Sequence, residues 1–97
     1  MMSHYIILIN WTDQGVRNAK DSPKRAAAAR RIAEQAGGKL QVYYTMGQYD
    51  IVALAEAPND ETIMRINLSL AKLGNIRTTT LKAWTEKEAG KIIAKVR

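Results

Sequence analysis

Apolar residues recur along this chain in two rhythms, and the alternation between them lays out the elements. His4 to Trp11 (HYIILINW) is β-branched and aromatic throughout. Tyr5, Ile7 and Ile9 point one way and Ile6 and Leu8 the other, so it reads as a strand with no polar face. A polar stretch from Thr12 to Asp21 reads as a loop, after which Ser22-Pro23 offers a helix cap followed by proline at the first helical position. The helix runs to about Ala36 and stops at Gly37-Gly38. Its inner stripe is Ala26, Ala29, Ala33 and Ala36 with Ile32, small enough to let the helix axis approach a sheet closely.

Strict alternation then returns. Leu40, Val42, Tyr44 and Met46 face one side and Gln41, Tyr43 and Thr45 the other, which predicts a half-buried strand. Gly47-Gln48 fits a two-residue hairpin turn with glycine first. Tyr49 to Ala57 is a second strand apolar on both faces. Asn59 caps a second helix with acidic residues in its first turn and the stripe Ile63, Ile66, Leu70, Leu73; Gly74-Asn75 ends it. Ile76 to Trp84 is a threonine-rich strand, and Thr85 to Glu88 is a capping box opening a last helix with Ala89, Ile92, Ile93 and Val96 along one side.

The order β-α-β-β-α-β with an added C-terminal helix predicts one α+β domain over residues 1–97, a ferredoxin-like antiparallel sheet in the order 4-1-3-2. The polarity pattern agrees, because the two strands without a polar face are the two that this order places in the middle. Two helices cover one sheet face only. The other carries either Ile6, Leu8, Val52 and Leu54, or Tyr5, Ile7, Ile9, Ile51, Ala53 and Ala55, an apolar patch too large to leave wet. Burying roughly 600 Å² at about 25 cal/mol/Å² is worth on the order of 15 kcal/mol before association costs, so a face-to-face homodimer closing an α+β barrel is expected.

Composition narrows the chemistry. With no cysteine among 97 residues, a disulfide framework, a thiolate metal site and a cysteine nucleophile are excluded, and one histidine leaves no metal-ligand spacing. The first residues lack the apolar core of a signal peptide and no run approaches a membrane span, which makes a cytoplasmic protein the expectation. Fifteen Lys and Arg against nine Asp and Glu give +6, concentrated in 17–31 and in the tail. The third strand offers Ile51 to Ala55 where an RNA-recognition sheet stacks bases on aromatics, which argues against base stacking and makes nucleic acid an unfavoured partner, with phosphate contact through Arg17 to Arg31 the remaining route.

Topology brings Asn10, Trp11, Thr12, Asp13, Gly47, Gln48, Tyr49, Asp50 and Arg77 to one end of the sheet, together with the start of the first helix. Asn10, Gly47, Gln48, Tyr49, Asp50 and Arg77 are the candidate ligand-binding residues. Asp50 has two structural readings, bonding to backbone N–H groups or pairing with Arg77, and two functional ones, holding a ligand amine or acting as a base. His4 is the other candidate base, read first as an idle residue near a strand start. No nucleophile triad, P-loop or dinucleotide fingerprint is present, and no cofactor is implied.

Met46-Gly47-Gln48-Tyr49-Asp50, preceded by Gly37-Gly38-Lys39 and Tyr43-Tyr44, resembles the GYD-domain family. The resemblance extends over Thr12-Asp13-Gln14-Gly15-Val16, Lys20 to Arg25, Ala57 to Glu61 and Gly74 to Trp84. It implies a ferredoxin-like, dimeric α+β-barrel fold and brings no established activity. The Gly-x-Tyr-Asp turn with Arg77-Thr78-Thr79-Thr80 is also similar, over residues 40–84, to the effector-binding domain of feast/famine (leucine-responsive) regulators, where the turn helps form an amino-acid pocket at subunit interfaces; no helix-turn-helix precedes it here. The expected function is a homo-oligomeric accessory protein binding an amino acid or small carboxylate at the turn. The alternatives are a cofactor-poor monooxygenase or isomerase with Asp50 or His4 as base, and an electrostatic nucleic-acid binder.

Overall fold

Alternation of apolar side chains sets the strands, and the ends of the helices are set by caps. In the computed structural model, which describes residues 2–97, β1 (Ser3–Trp11) is followed by α1 (Asp13–Arg17), a 3₁₀ turn (Ala19–Asp21) and α2 (Ser22–Gln35). Then come β2 (Lys39–Tyr44), β3 (Ile51–Ala57), α3 (Asp60–Ala71), β4 (Ile76–Ala83) and α4 (Glu86–Ile93). Met1, at the chain start considered above, lies outside the described residues. The sheet order is β2-β3-β1-β4, every neighbouring pair antiparallel, as the strand polarity required.

Asn59 caps α3 by accepting from the Thr62 N–H, and the Thr85–Glu88 capping box opens α4 with both reciprocal bonds in place. Gly37 leaves α2 at φ +84°, the left-handed conformation that ends helices. Two local expectations are corrected. The stretch 12–21 is not an open loop: the Thr12 hydroxyl accepts from the Gly15 N–H at 3.1 Å and so starts α1, while the Thr12 N–H donates to the Asn75 carbonyl at 3.1 Å. Nor is Ser22 the cap of α2. The chain arrives through the 3₁₀ turn already helical, Ser22 lies at φ −54°, ψ −42°, and its buried hydroxyl is instead 2.9 Å from the Tyr44 hydroxyl.

Register decides which sheet face the helices cover. Tyr5, Ile7, Ile51, Ala53, Ala55 and Ala57 are buried with Ile63 of α3, so the odd-numbered residues of both central strands face inward. Ile6 lies between Leu54 and Leu81, and Leu8 between Val52 and Thr79, on the opposite face. There Leu54 is 41%, Leu81 46% and Tyr43 54% exposed. The molecule measures 50 × 31 × 17 Å, and its thin direction accommodates one sheet and one layer of helices. The last helix does not shelter the open face: α4 has no buried residue, and Ile92, Ile93 and Val96 are exposed. Among the described residues no helix is long and apolar enough to cross a membrane.

Candidate functional site

β1 and β3 separate at Ile9↔Ile51, and Asp50 completes the pairing beyond that point. Its N–H donates to the Ile9 carbonyl at 3.0 Å, and its Oδ2 accepts from the Trp11 N–H at 2.9 Å, so a side-chain carboxylate replaces the next main-chain acceptor. Of the two structural readings of Asp50, the backbone one is therefore observed. Among the described residues the ion pairs are those of His4 with Glu56 and Glu88 and of Lys82 with Asp60, and Arg77 is not bonded to Asp50.

Arg77 is exposed on β4 directly across from Asn10, so Asn10, Asp50 and Arg77 do come together around the end of β1. Gly47 and Gln48 stand off at the hairpin tip. The pairing Tyr44↔Ile51, carried forward through the Thr45 N–H bond to the Asp50 carbonyl, leaves those two residues unpaired at the turn. Gly47 has φ +110° and nothing within 4 Å of where a Cβ would stand, and Met46 beside it is 99% exposed. Tyr49 is half-buried, with its carbonyl bonded by the Thr45 hydroxyl at 2.7 Å.

His4 lies at the other end of β1, six positions from Asn10 and so about 20 Å away at the rise of a strand. The two candidate bases thus cannot act on one small substrate. His4 sits between Glu56 (Nε2–Oε1 3.6 Å) and Glu88 (Nδ1–Oε1 3.4 Å), the latter reaching it from α4. The bonds of the capping box with Thr85, aided by the nearby Lys91, hold the Glu88 carboxyl below the usual range. A further cluster joins that end of the sheet to α3: the Tyr5 hydroxyl donates to Asp60 Oδ1, and Lys82 Nζ lies 3.0 Å from the same oxygen. Burial, with the adjacent Asp60, pushes the Tyr5 phenol up, and the Tyr5 bond followed by Lys82 draws the Asp60 carboxyl down. Sequence patterning gave no sign of this cluster, because its three members come from β1, α3 and β4.

A cavity of about 210 Å³ lies inside the subunit between the helices and the sheet, among Ala29 and Ala33 of α2, Ala53 and Ala55 of β3, and Ile63 and Ile66 of α3. Trp11 and Arg25 form part of its wall, whereas residues 47–50 are not among its lining. The alanine stripe that promised a close helix–sheet approach thus leaves space against a sheet that is itself small-sided.

Comparison with known proteins gives the chain relatives. It is 33% identical over 84 residues, 84% of this chain and 88% of the other, to the Thermus thermophilus protein named glutamine synthetase and cystathionine beta-lyase binding protein. A sequence profile described as the GYD domain matches residues 5–93, from within β1 to the last residue of α4. With the antiparallel sheet, the glycine turn at 47 and the carboxylate of Asp50 all in place, the chain belongs to the GYD domain family.

Proposed function

We propose that this protein is a cytoplasmic, homodimeric accessory protein whose helix-free sheet face is covered by a second copy of itself and whose C-terminal arm docks on a metabolic enzyme. The observation that supports it is the apolar surface left open in two places. Ile6, Leu8, Val52, Leu54 and Leu81 share one flat sheet face, a self-complementary surface of the kind two-fold dimers use. α4 and the residues just after it carry a further set of apolar side chains, Ala89, Ile92, Ile93 and Val96, among Lys87, Lys91 and Lys95. Apolar helix residues set among positive charges suit a groove on a larger, acidic partner. The relative named for binding glutamine synthetase and cystathionine beta-lyase makes those two enzymes the first partners to try.

Sedimentation velocity at micromolar concentration should give a dimer that Leu54→Asp converts to a folded monomer. Each of the two enzymes, purified from the same source as this chain and immobilised, should retain the wild-type protein and lose an Ile92→Asp/Ile93→Asp variant. A monomeric wild type overturns the dimer, and retention of neither enzyme overturns the accessory role.

A second reading, an amino acid or small carboxylate held at the turn, is supported by the open approach to Gly47 and by Asn10 facing Arg77. It predicts ligand-dependent thermal shifts that Gln48→Ala and Arg77→Ala abolish, both at exposed positions where folding is unaffected.

A further inference from the structure

The cavity between the helices and the sheet has two features that empty packing faults lack. Its walls are mostly apolar, with Ser22, Asn67, Asn75 and Thr78 also among them, yet Trp11 and Arg25 each hold a buried nitrogen without a hydrogen-bond partner, Nε1 of the indole and one Nη of the guanidinium. Buried donors left unpaired are rare and costly, so two in the wall of one cavity call for an explanation.

A run of contacts connects the two residues. The Trp11 ring is 6.3 Å from that of Tyr44, and the Tyr44 hydroxyl is 2.9 Å from Ser22, which opens α2. Arg25 is three residues further along α2, on the same helix face as Ser22. The guanidinium is steadied there, since Nη1 donates to the Asn18 carbonyl at 3.0 Å while Nη2 is the atom left free.

We propose that this cavity binds a small monocarboxylic acid with an apolar body, its carboxylate on Arg25 and Trp11 and its body among the alanines of α2 and β3. Both orphan groups are donors without acceptor capacity, so the occupant must bring acceptors. A water molecule is the competing occupant, since the wall also holds the Ser22 hydroxyl, but it brings no apolar body to fill the aliphatic part of the cavity. A phosphate has more oxygens than these two donors can serve, whereas a carboxylate has two, and arginine recognises it in a fixed fork geometry. The body is bounded by size. A dry aliphatic cavity of roughly 150 Å³ accepts benzene, so about 210 Å³ suits one ring or a chain of about six to eight carbons. The site lies on the helix side of the sheet, independent of the open face and of the turn at 47–50.

The test uses the full chain carrying Trp84→Phe, which removes the exposed second tryptophan and leaves Trp11 as the reporter. At neutral pH octanoate should change Trp11 emission saturably and raise the Tm, while 1-octanol, lacking the carboxylate, and acetate, lacking the body, should do neither at the same concentrations. Arg25→Gln should weaken octanoate binding about 10- to 100-fold, the range for a lost hydrogen bond to a charged group. Ala29→Leu, which fills the cavity with an apolar side chain, should abolish binding in a protein that still melts cooperatively, and Arg77→Ala should leave it unchanged. The proposal is overturned if octanoate gives no saturable response, if octanol matches it, or if Arg25→Gln binds as the parent does. A response lost with Arg77→Ala would move the site to the turn and equally overturn it.

Discussion

Asp50→Ala separates the structural role of this carboxylate from a ligand-binding one. The substitution removes the acceptor of the Trp11 N–H and leaves the main-chain bonds of residue 50, to Ile9 and from Thr45, in place. A hydrogen bond to a charged group is worth about 1.5–3 kcal/mol, and because this one is only partly buried, water replaces some of it, which puts the cost near 2 kcal/mol. For 97 residues at about 2.1 cal/mol/K each, the unfolding entropy near the melting point is ~0.2 kcal/mol/K, so the expected fall in Tm is about 10 °C. Asp50→Asn keeps an acceptor oxygen without the charge and should lose about half as much. Differential scanning calorimetry gives the ranking, and amide exchange of Trp11 by NMR locates it: protection at that N–H should collapse in the alanine variant while the centre of β1 stays protected. A melting point within 2 °C or so of wild type, with Trp11 still protected, would refute the assignment and leave the carboxylate free for a ligand.

Three more outcomes follow from the geometry. A Cβ on Gly38 would stand 2.1 Å from the Glu56 carbonyl oxygen, so Gly38→Ala must displace backbone and should cost more than about 2 kcal/mol, whereas Gly90→Ala, in α4 with open space around it, should be neutral or gain about 0.5–1 kcal/mol; thermal melts compare them. The Asp60 carboxyl is held down, so its contribution is present above the ordinary value of 3.8 and is lost as pH falls through the lower folded value. The Tyr5 phenol is held up, so its contribution is present below 10.0 and is lost as pH rises through the higher folded value; urea midpoints against pH should lose the acid limb with Asp60→Asn and the alkaline limb with Tyr5→Phe. At the proposed dimer face, Leu54 has 41% of its surface to bury, which at about 1.5–3 kcal/mol for a whole leucine gives ~0.6–1.2 kcal/mol per copy. Leu54→Ala in both copies should therefore raise the dimer Kd about 10- to 60-fold by sedimentation equilibrium, and an unchanged Kd would remove Leu54 from the interface.

The strands were legible because apolar side chains on two faces and on one leave different marks. Ile6 to Ile9 and Ile51 to Leu54 carry no polar alternation, and they are the strands with neighbours on both sides. The helix termini were legible where a side chain does the capping, as Asn59 and Thr85 do. Ser22 was misleading because a hydroxyl ahead of Pro23 has two outlets, its own helix N-terminus or a partner far along the chain. The chain supplied the second in Tyr44, 22 positions on, and no local pattern records that choice. α1 was hidden for another reason: Thr12 caps it locally by accepting from the Gly15 N–H, but its five residues are too few to show an apolar stripe.

Candidate chemistry was harder to read because it depends on what is missing between elements rather than on which residues lie along one. The Gly-x-Tyr-Asp stretch drew attention as a motif, yet its carboxylate ends up holding the end of β1, and the orphan donors lie elsewhere, on Trp11 and Arg25. The signal that points to them was present in the alanine stripe of α2. Small residues on a helix permit close packing only if the facing sheet supplies bulk. Here β3 offers Ala53 and Ala55 under Ala29 and Ala33, so both walls are small and the space between them persists as a cavity. One face of the sheet therefore has too much exposed apolar surface and the other too little side-chain volume. In the two proposals above, a second copy would answer the first imbalance and a small apolar acid the second. The two answers are separable by experiment: Leu54→Asp should leave octanoate binding intact, and Arg25→Gln should leave the dimer intact. If either variant abolished both properties, the dimer face and the cavity would have to be treated as one site.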